Sequence, residues 1–128
     1  MNILVTGGAG YIGSHIVDLL CDKGYCVIVY DNLSSGFKKN LNKKAKFVLG
    51  DICDKNQLEE VFKKYNFDSI IHMAALKSVS DSMKNIHKYS ETNIYGSINL
   101  ISISIKYNVK NFIFSSTAAI YGMPKYLP

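Results

Sequence analysis

The feature that most constrains the fold is the run Thr6-Gly7-Gly8-Ala9-Gly10-Tyr11-Ile12-Gly13, which separates a short apolar segment from an amphipathic one. Residues 2–6 read as a buried strand. From 11 to 23, Ile12, Ile16, Leu19 and Leu20 recur at helical spacing, and Gly24 supplies a stop. A strand that turns through glycines into a helix presents unpaired N–H groups and a partial positive charge at the turn, which suits a phosphate. Gly7 tolerates the positive φ of a tight turn. Gly10 leaves the backbone open to close approach, and Gly13 lets the helix pack closely on the sheet. In this setting Gly7, Gly10, Tyr11, Ile12 and Gly13 are the expected bed for a dinucleotide pyrophosphate. Tyr11 either shields that group or packs on the sheet. The bland alternative is a helix that merely starts after a flexible turn, and the G-x-x-G-x-x-G spacing differs from the more familiar G-x-G-x-x-G.

The rest of the chain keeps the alternation. Residues 26–30 form an unbroken apolar run, as for a strand covered on both faces. Residues 32–44 are polar and read as loop, and 46–49 as a third strand. Leu58, Val61, Phe62 and Tyr65 mark one face of a helix with Asp54 as its N-cap. Residues 69–73 read as a fourth strand, 86–107 as a long helix rich in Ser, Thr, Asn and β-branched residues, and 111–115 as a fifth strand. The prediction is an α/β fold of the Rossmann type, a doubly wound parallel sheet with right-handed crossovers, ending after about the fifth strand.

Asp31 closes the second strand, where a carboxylate can accept hydrogen bonds from adenosine ribose hydroxyls and repel a 2′-phosphate. NAD is therefore expected over NADP. The competing reading of Asp31-Asn32 is a turn-initiating pair. At 128 residues, 48% apolar and 20% charged, the chain suits one globular domain. Its net charge of +5 gathers partly in lysines between 38 and 46. No aromatic-interleaved pattern accompanies them, so a solvated loop is expected rather than a nucleic-acid surface. No apolar run is long enough to span a bilayer, and no basic or cleavable segment precedes Asn2, so the default location is cytoplasmic. Cys21, Cys26 and Cys53 read as reduced structural thiols. His15, His72 and His87 lack metal-ligand spacing, so no metal is expected. No Gly-Lys-Ser/Thr follows the glycines, which argues against a P-loop.

With these residues placed, the chain resembles the extended short-chain dehydrogenase/reductase family. The resemblance is carried by Val5 to His15, Asp31-Asn32-Leu33, Gly50-Asp51-Ile52, Asn111 to Ser116 and, most diagnostically, His72-Met73-Ala74-Ala75-Leu76-Lys77-Ser78-Val79-Ser80-Asp81-Ser82. The Leu-Lys-x-Val segment points to its epimerase branch, with a dehydratase, a decarboxylase or a non-catalytic NAD-binding module as the alternatives. The resemblance implies that Asn32 joins Asp31 among the cofactor-binding residues and that Asp51 and Ile52 hold the adenine. It implies that Met73, Ala74 and Ala75 line the cofactor groove and that Lys77 reaches the nicotinamide-side ribose or phosphates. Asn93 would lie near the nicotinamide end, Ser115 would be among the cofactor-binding residues, and Thr117 would hydrogen-bond the reacting sugar hydroxyl.

The resemblance also implies oxidation at C4 of a UDP-hexose, rotation of the 4-keto sugar and return of the hydride. That chemistry needs a Tyr-x-x-x-Lys pair on a helix, where the lysine lowers the tyrosine pKa. Tyr121-Gly122-Met123-Pro124-Lys125 has the spacing, but Gly122 and Pro124 oppose a helix, so it is read as a decoy. The chain is thus expected to be the N-terminal, NAD-binding part of a larger enzyme, without its base, without its substrate-binding domain and inactive alone. A sheet edge and an apolar face left uncovered would invite self-association. The resemblance leaves homodimerisation open.

Overall fold

The computed structural model describes residues 1–123 and Tyr126. Its centre is a five-stranded sheet in the order β3-β2-β1-β4-β5, built from β1 (Asn2–Thr6), β2 (Cys26–Asp31), β3 (Lys46–Leu49), β4 (Ser69–His72) and β5 (Asn111–Phe114). Every pairing is parallel, with Leu4 opposite both Ile28 and Ile70. Successive connections carry the chain outward from β1 to β3, and then back past β1 to β4 and β5. Where that order reverses, between β1 and β4, a crevice opens at the carboxyl ends of the strands.

Side-chain alternation along the strands divides the core into two layers. Ile3, Val5, Val27 and Val29 face α1 (Tyr11–Asp22), where Val17 and Cys21 are buried against them. Leu4, Ile28, Tyr30 and Ile70 face the other way, onto α2 (Lys55–Lys64) and α5 (Ser97–Lys106) through Leu58, Val61, Phe62, Leu100 and Ile103. The expected doubly wound α/β architecture is therefore the observed one.

Of the four apolar residues at helical spacing in α1, Leu20 packs partly buried against the core. Ile12 and Leu19 stand in solvent, while Gly13, Ser14, Val17 and Cys21 meet the sheet. The helix ends on paired bonds, Gly24 N–H to the Cys21 carbonyl and Tyr25 N–H to the Leu20 carbonyl, which satisfy its last carbonyls. The α2 helix begins as expected, with Asp54 Oδ1 accepting from Gln57 N–H at 3.0 Å.

The predicted long helix is present in three parts. The α4 turn (Ile86–Ser90) runs into a π-helical stretch, Glu91–Gly96, which leads into α5. A four-residue helix that periodicity did not reveal, α3 (Val79–Ser82), starts on the Ser78 hydroxyl, which accepts from Asp81 N–H. No helix among the described residues is long and apolar enough to cross a membrane.

Candidate functional site

The turn after β1 shows why glycines stand there. Gly7 adopts φ +71°, and a Cβ at that position would lie 2.6 Å from the Ala74 nitrogen, in the loop that leaves β4. Gly13 is constrained differently: a Cβ there would lie 2.3 Å from the Gly7 carbonyl oxygen. The close approach that demands glycine is thus to the turn itself, not to the sheet as expected. Gly10 caps α1 without any side-chain hydrogen bond, so the N–H groups of the first helical turn have no intrahelical acceptor and point outward.

They open into a cavity of about 570 Å³ at the crevice. Every residue expected to bind the cofactor lines it except Asn93: Gly7, Gly10, Tyr11, Ile12, Gly13, Asp31, Asn32, Asp51, Ile52, Met73, Ala74, Ala75, Lys77 and Ser115. Tyr11 stands 78% exposed at the rim, its ring edge-on to His15.

Asp31 is buried at the end of β2 and does two structural jobs. Its Oδ2 accepts from Ala9 N–H at 2.9 Å, bracing the glycine turn, and its Oδ1 accepts from Leu33 N–H at 2.8 Å. The second bond is the turn-initiating geometry weighed from sequence. A carboxylate offers about four acceptor positions, so both oxygens keep capacity toward the cavity.

Beside it, Asn32 donates through Nδ2 to Asp51 Oδ2 at 2.8 Å, while Asp51 Oδ1 accepts from Cys53 N–H. Burial raises the Asp51 carboxyl pKa, but the Cys53 and Asn32 hydrogen bonds outweigh that and hold it below the ordinary value. Tyr30 supports this corner from the core, its hydroxyl donating toward the Asp51 carbonyl. Asn99, buried on α5, donates to the Ile52 carbonyl at 3.2 Å and fixes the same loop from behind.

Asn93 lies in the π-helical stretch, and its carboxamide is committed to the loop after β4. Its Oδ1 accepts from Leu76 N–H and its Nδ2 donates to the Leu76 carbonyl, both at 2.8 Å. It lines a second cavity of about 560 Å³, shared with Lys77, Ser78, Tyr89, Phe114, Ser115 and Thr117.

The two cavities meet along residues 74–77 and at Ser115 and Ser116. Ser115 follows the end of β5, where its N–H donates to the His72 carbonyl.

Several lining residues carried no signal in the sequence. Ser34 and Ser35 enter from the polar loop after β2, and Thr92 enters from the π-helical stretch. Ser97 and Tyr89 enter the second from helix positions that read as ordinary. The Tyr121-x-x-x-Lys125 spacing is met by a short 3₁₀ turn, Ala118–Tyr121, which is followed by Gly122 at φ +67°. Pro124 and Lys125 lie outside the described residues. No group of three or more His, Cys, Asp or Glu side chains among the described residues could hold a metal, and all three cysteines are free.

A parallel sheet wound on both faces, with a glycine turn opening a helix beneath a crevice, defines a Rossmann-type nucleotide-binding unit. The chain belongs to the NAD dependent epimerase/dehydratase family, whose sequence profile matches residues 3–128. UDP-glucose 4-epimerase of Caenorhabditis elegans is 43% identical over 143 residues, spanning 100% of this chain and 41% of its own length. The solved structure of UDP-glucose 4-epimerase from Thermotoga maritima with UDP-glucose superposes with a TM-score of 0.93 at 49% identity, covering 99% of this chain and 41% of that one. The Thermus thermophilus enzyme in complex with NAD superposes with a TM-score of 0.94 at 40% identity, covering 98% and 41%. The chain spans between 39% and 41% of the length of the first curated relatives it matches.

Proposed function

We propose that this chain is the cofactor-holding part of a UDP-glucose 4-epimerase, an isomerase of galactose metabolism that interconverts UDP-glucose and UDP-galactose. The observation that carries the reading is the uncapped start of α1, opening through the glycine turn into a cavity with Asp31 and Asp51 on one wall and residues 73–77 on the other. That donor set fits NAD. When bound, NAD would supply reversible hydride transfer.

The chain's own residues do the rest. The N–H groups of Tyr11 and Ile12, with Gly7, Gly10 and Gly13 giving room, hold the pyrophosphate. Asp31 and Asn32 accept from and orient the adenosine ribose, and the Asp31 charge disfavours a 2′-phosphate. Asp51 and Ile52 hold the adenine. Met73, Ala74 and Ala75 form the groove floor, Lys77 reaches the nicotinamide-side ribose or phosphates, and Asn93 and Ser115 border the nicotinamide end. Thr117 hydrogen-bonds the sugar hydroxyl that reacts.

In this reading residues 1–128 serve as part of the NAD-binding domain of the enzyme. The catalytic tyrosine and lysine are then not the pair Tyr121 and Lys125, whose spacing Gly122 and Pro124 interrupt, so the chain by itself is expected to perform no epimerisation. The partners this reading implies are a UDP-hexose and a second copy of the chain, with neither nucleic acid nor membrane required.

Calorimetric titration of NAD and NADP into the purified chain, beside Asp31→Ala and with circular dichroism to verify folding, tests the cofactor role. Saturable binding that prefers NAD and weakens in the variant is the expected result. A folded chain that binds neither nucleotide would overturn it.

A further inference from the structure

His72 is buried at the carboxyl end of β4, 1% exposed, with a hydroxyl within hydrogen-bond distance of each ring nitrogen. Nδ1 lies 2.7 Å from the Thr6 hydroxyl at the end of β1, and Nε2 lies 2.9 Å from the Ser97 hydroxyl at the start of α5. The Ser97 proton is already assigned, because its hydroxyl donates to the Asn93 carbonyl at 2.7 Å. Toward His72 it can only accept. The neutral imidazole therefore carries its proton on Nε2, and Nδ1 accepts from Thr6. Desolvation agrees with a neutral ring, holding its pKa down to about 4. The chain of bonds ends at the residue whose side chain grips Leu76 at both its N–H and its carbonyl. A serine hydroxyl bonding one turn back also accompanies helix distortion, here at the exit of the π-helical stretch.

We propose that Ser97 and His72 are positioning residues: they fix the Asn93 backbone so that its carboxamide holds Leu76, and with it Lys77, at the wall of the cofactor cavity. The inference rests on the cofactor reading above for its functional meaning, but its geometry can be read without cofactor.

The experiment is nuclear magnetic resonance of the chain, with His72 ring nitrogens assigned and Leu76 amide exchange followed, alongside NAD titration of wild type, Ser97→Ala and Ser97→Thr. The wild type is expected to show the Nε2-protonated tautomer and a protected Leu76 amide. Ser97→Ala should speed Leu76 exchange and weaken NAD binding by about tenfold, the equivalent of one lost hydrogen bond. Ser97→Thr, which keeps the hydroxyl, should restore both.

The Nδ1-protonated tautomer in the wild type overturns the proposal whether or not any variant folds. So does a Ser97→Ala chain with unchanged Leu76 exchange, or with faster exchange and unchanged NAD affinity. If the wild type binds no NAD, the cofactor reading fails separately, and Leu76 exchange decides the positioning role.

Discussion

At the scale of single residues, the glycine turn and His72 make the sharpest demands. Gly13→Ala would drive a methyl into the Gly7 carbonyl at 2.3 Å, an overpacking against backbone that cannot swing aside. A loss of about 1–3 kcal/mol is expected from urea unfolding, together with loss of NAD binding. A variant as stable as wild type would show that the turn yields more easily than its contacts suggest. His72 makes stability depend on pH. Burial lowers its pKa from 6.5 to about 4, so between those values the unfolded chain binds a proton that the folded chain refuses. Stability contributed by the neutral ring is complete above pH 6.5 and is lost as pH falls toward 4, by about 3 kcal/mol in all. Asp51, held below its ordinary 3.8, gives up its contribution only further down. The urea midpoint should therefore fall between pH 6.5 and 4 in wild type and much less in His72→Gln. Equal slopes in the two would remove His72 as the cause.

At the scale of elements, the parts visible in the sequence were those set by local rules. The strand starting at Asn2, the cap at Asp54 and the glycine turn follow from alternation, capping chemistry and φ, so their places could be read residue by residue. What escaped depended on contacts between distant segments. Ile12 and Leu19 stand at helical spacing yet are exposed, and the face that meets the sheet is Gly13, Val17 and Cys21. The interruption of the long helix could not be read from periodicity, because its partners are Leu76, His72 and Ile52 on other elements. Asn93 was placed near the nicotinamide by resemblance, and its visible work is to clamp a loop. Asn93→Ala removes both bonds to Leu76, which at about 1 kcal/mol each should cost about 2 kcal/mol. Hydrogen exchange should show the loss first in residues 74–78, with β1 and β2 unaffected. Loosening spread evenly through the sheet would mean that the clamp is not local.

At the scale of the whole molecule, one row of exposed apolar side chains stands out. Ile94, Ile98, Ile101 and Ile105 follow one another at helical spacing along the outer side of residues 86–106, and each is more than 40% exposed. At the neighbouring edge of the sheet, Ile113 and Phe114 on β5 are 56% and 57% exposed. Single exposed isoleucines are ordinary on a folded surface, but a continuous stripe is not. No charged side chain interrupts the stripe between Ile94 and Ile105, so a second copy could lay the same row against it in an isologous, two-fold arrangement. Full burial of one isoleucine side chain is worth about 1.5–3 kcal/mol, so a stripe meeting its own copy can offset a good part of the cost of association. The chain is therefore expected to sediment as a concentration-dependent mixture of monomer and dimer. Ile98→Lys combined with Ile105→Lys should shift it to monomer without lowering the melting temperature, because neither side chain belongs to the buried core. A monodisperse wild-type monomer at high concentration would exclude the stripe as a self-association surface. A dimer untouched by the double substitution would transfer that role to the exposed β5 edge.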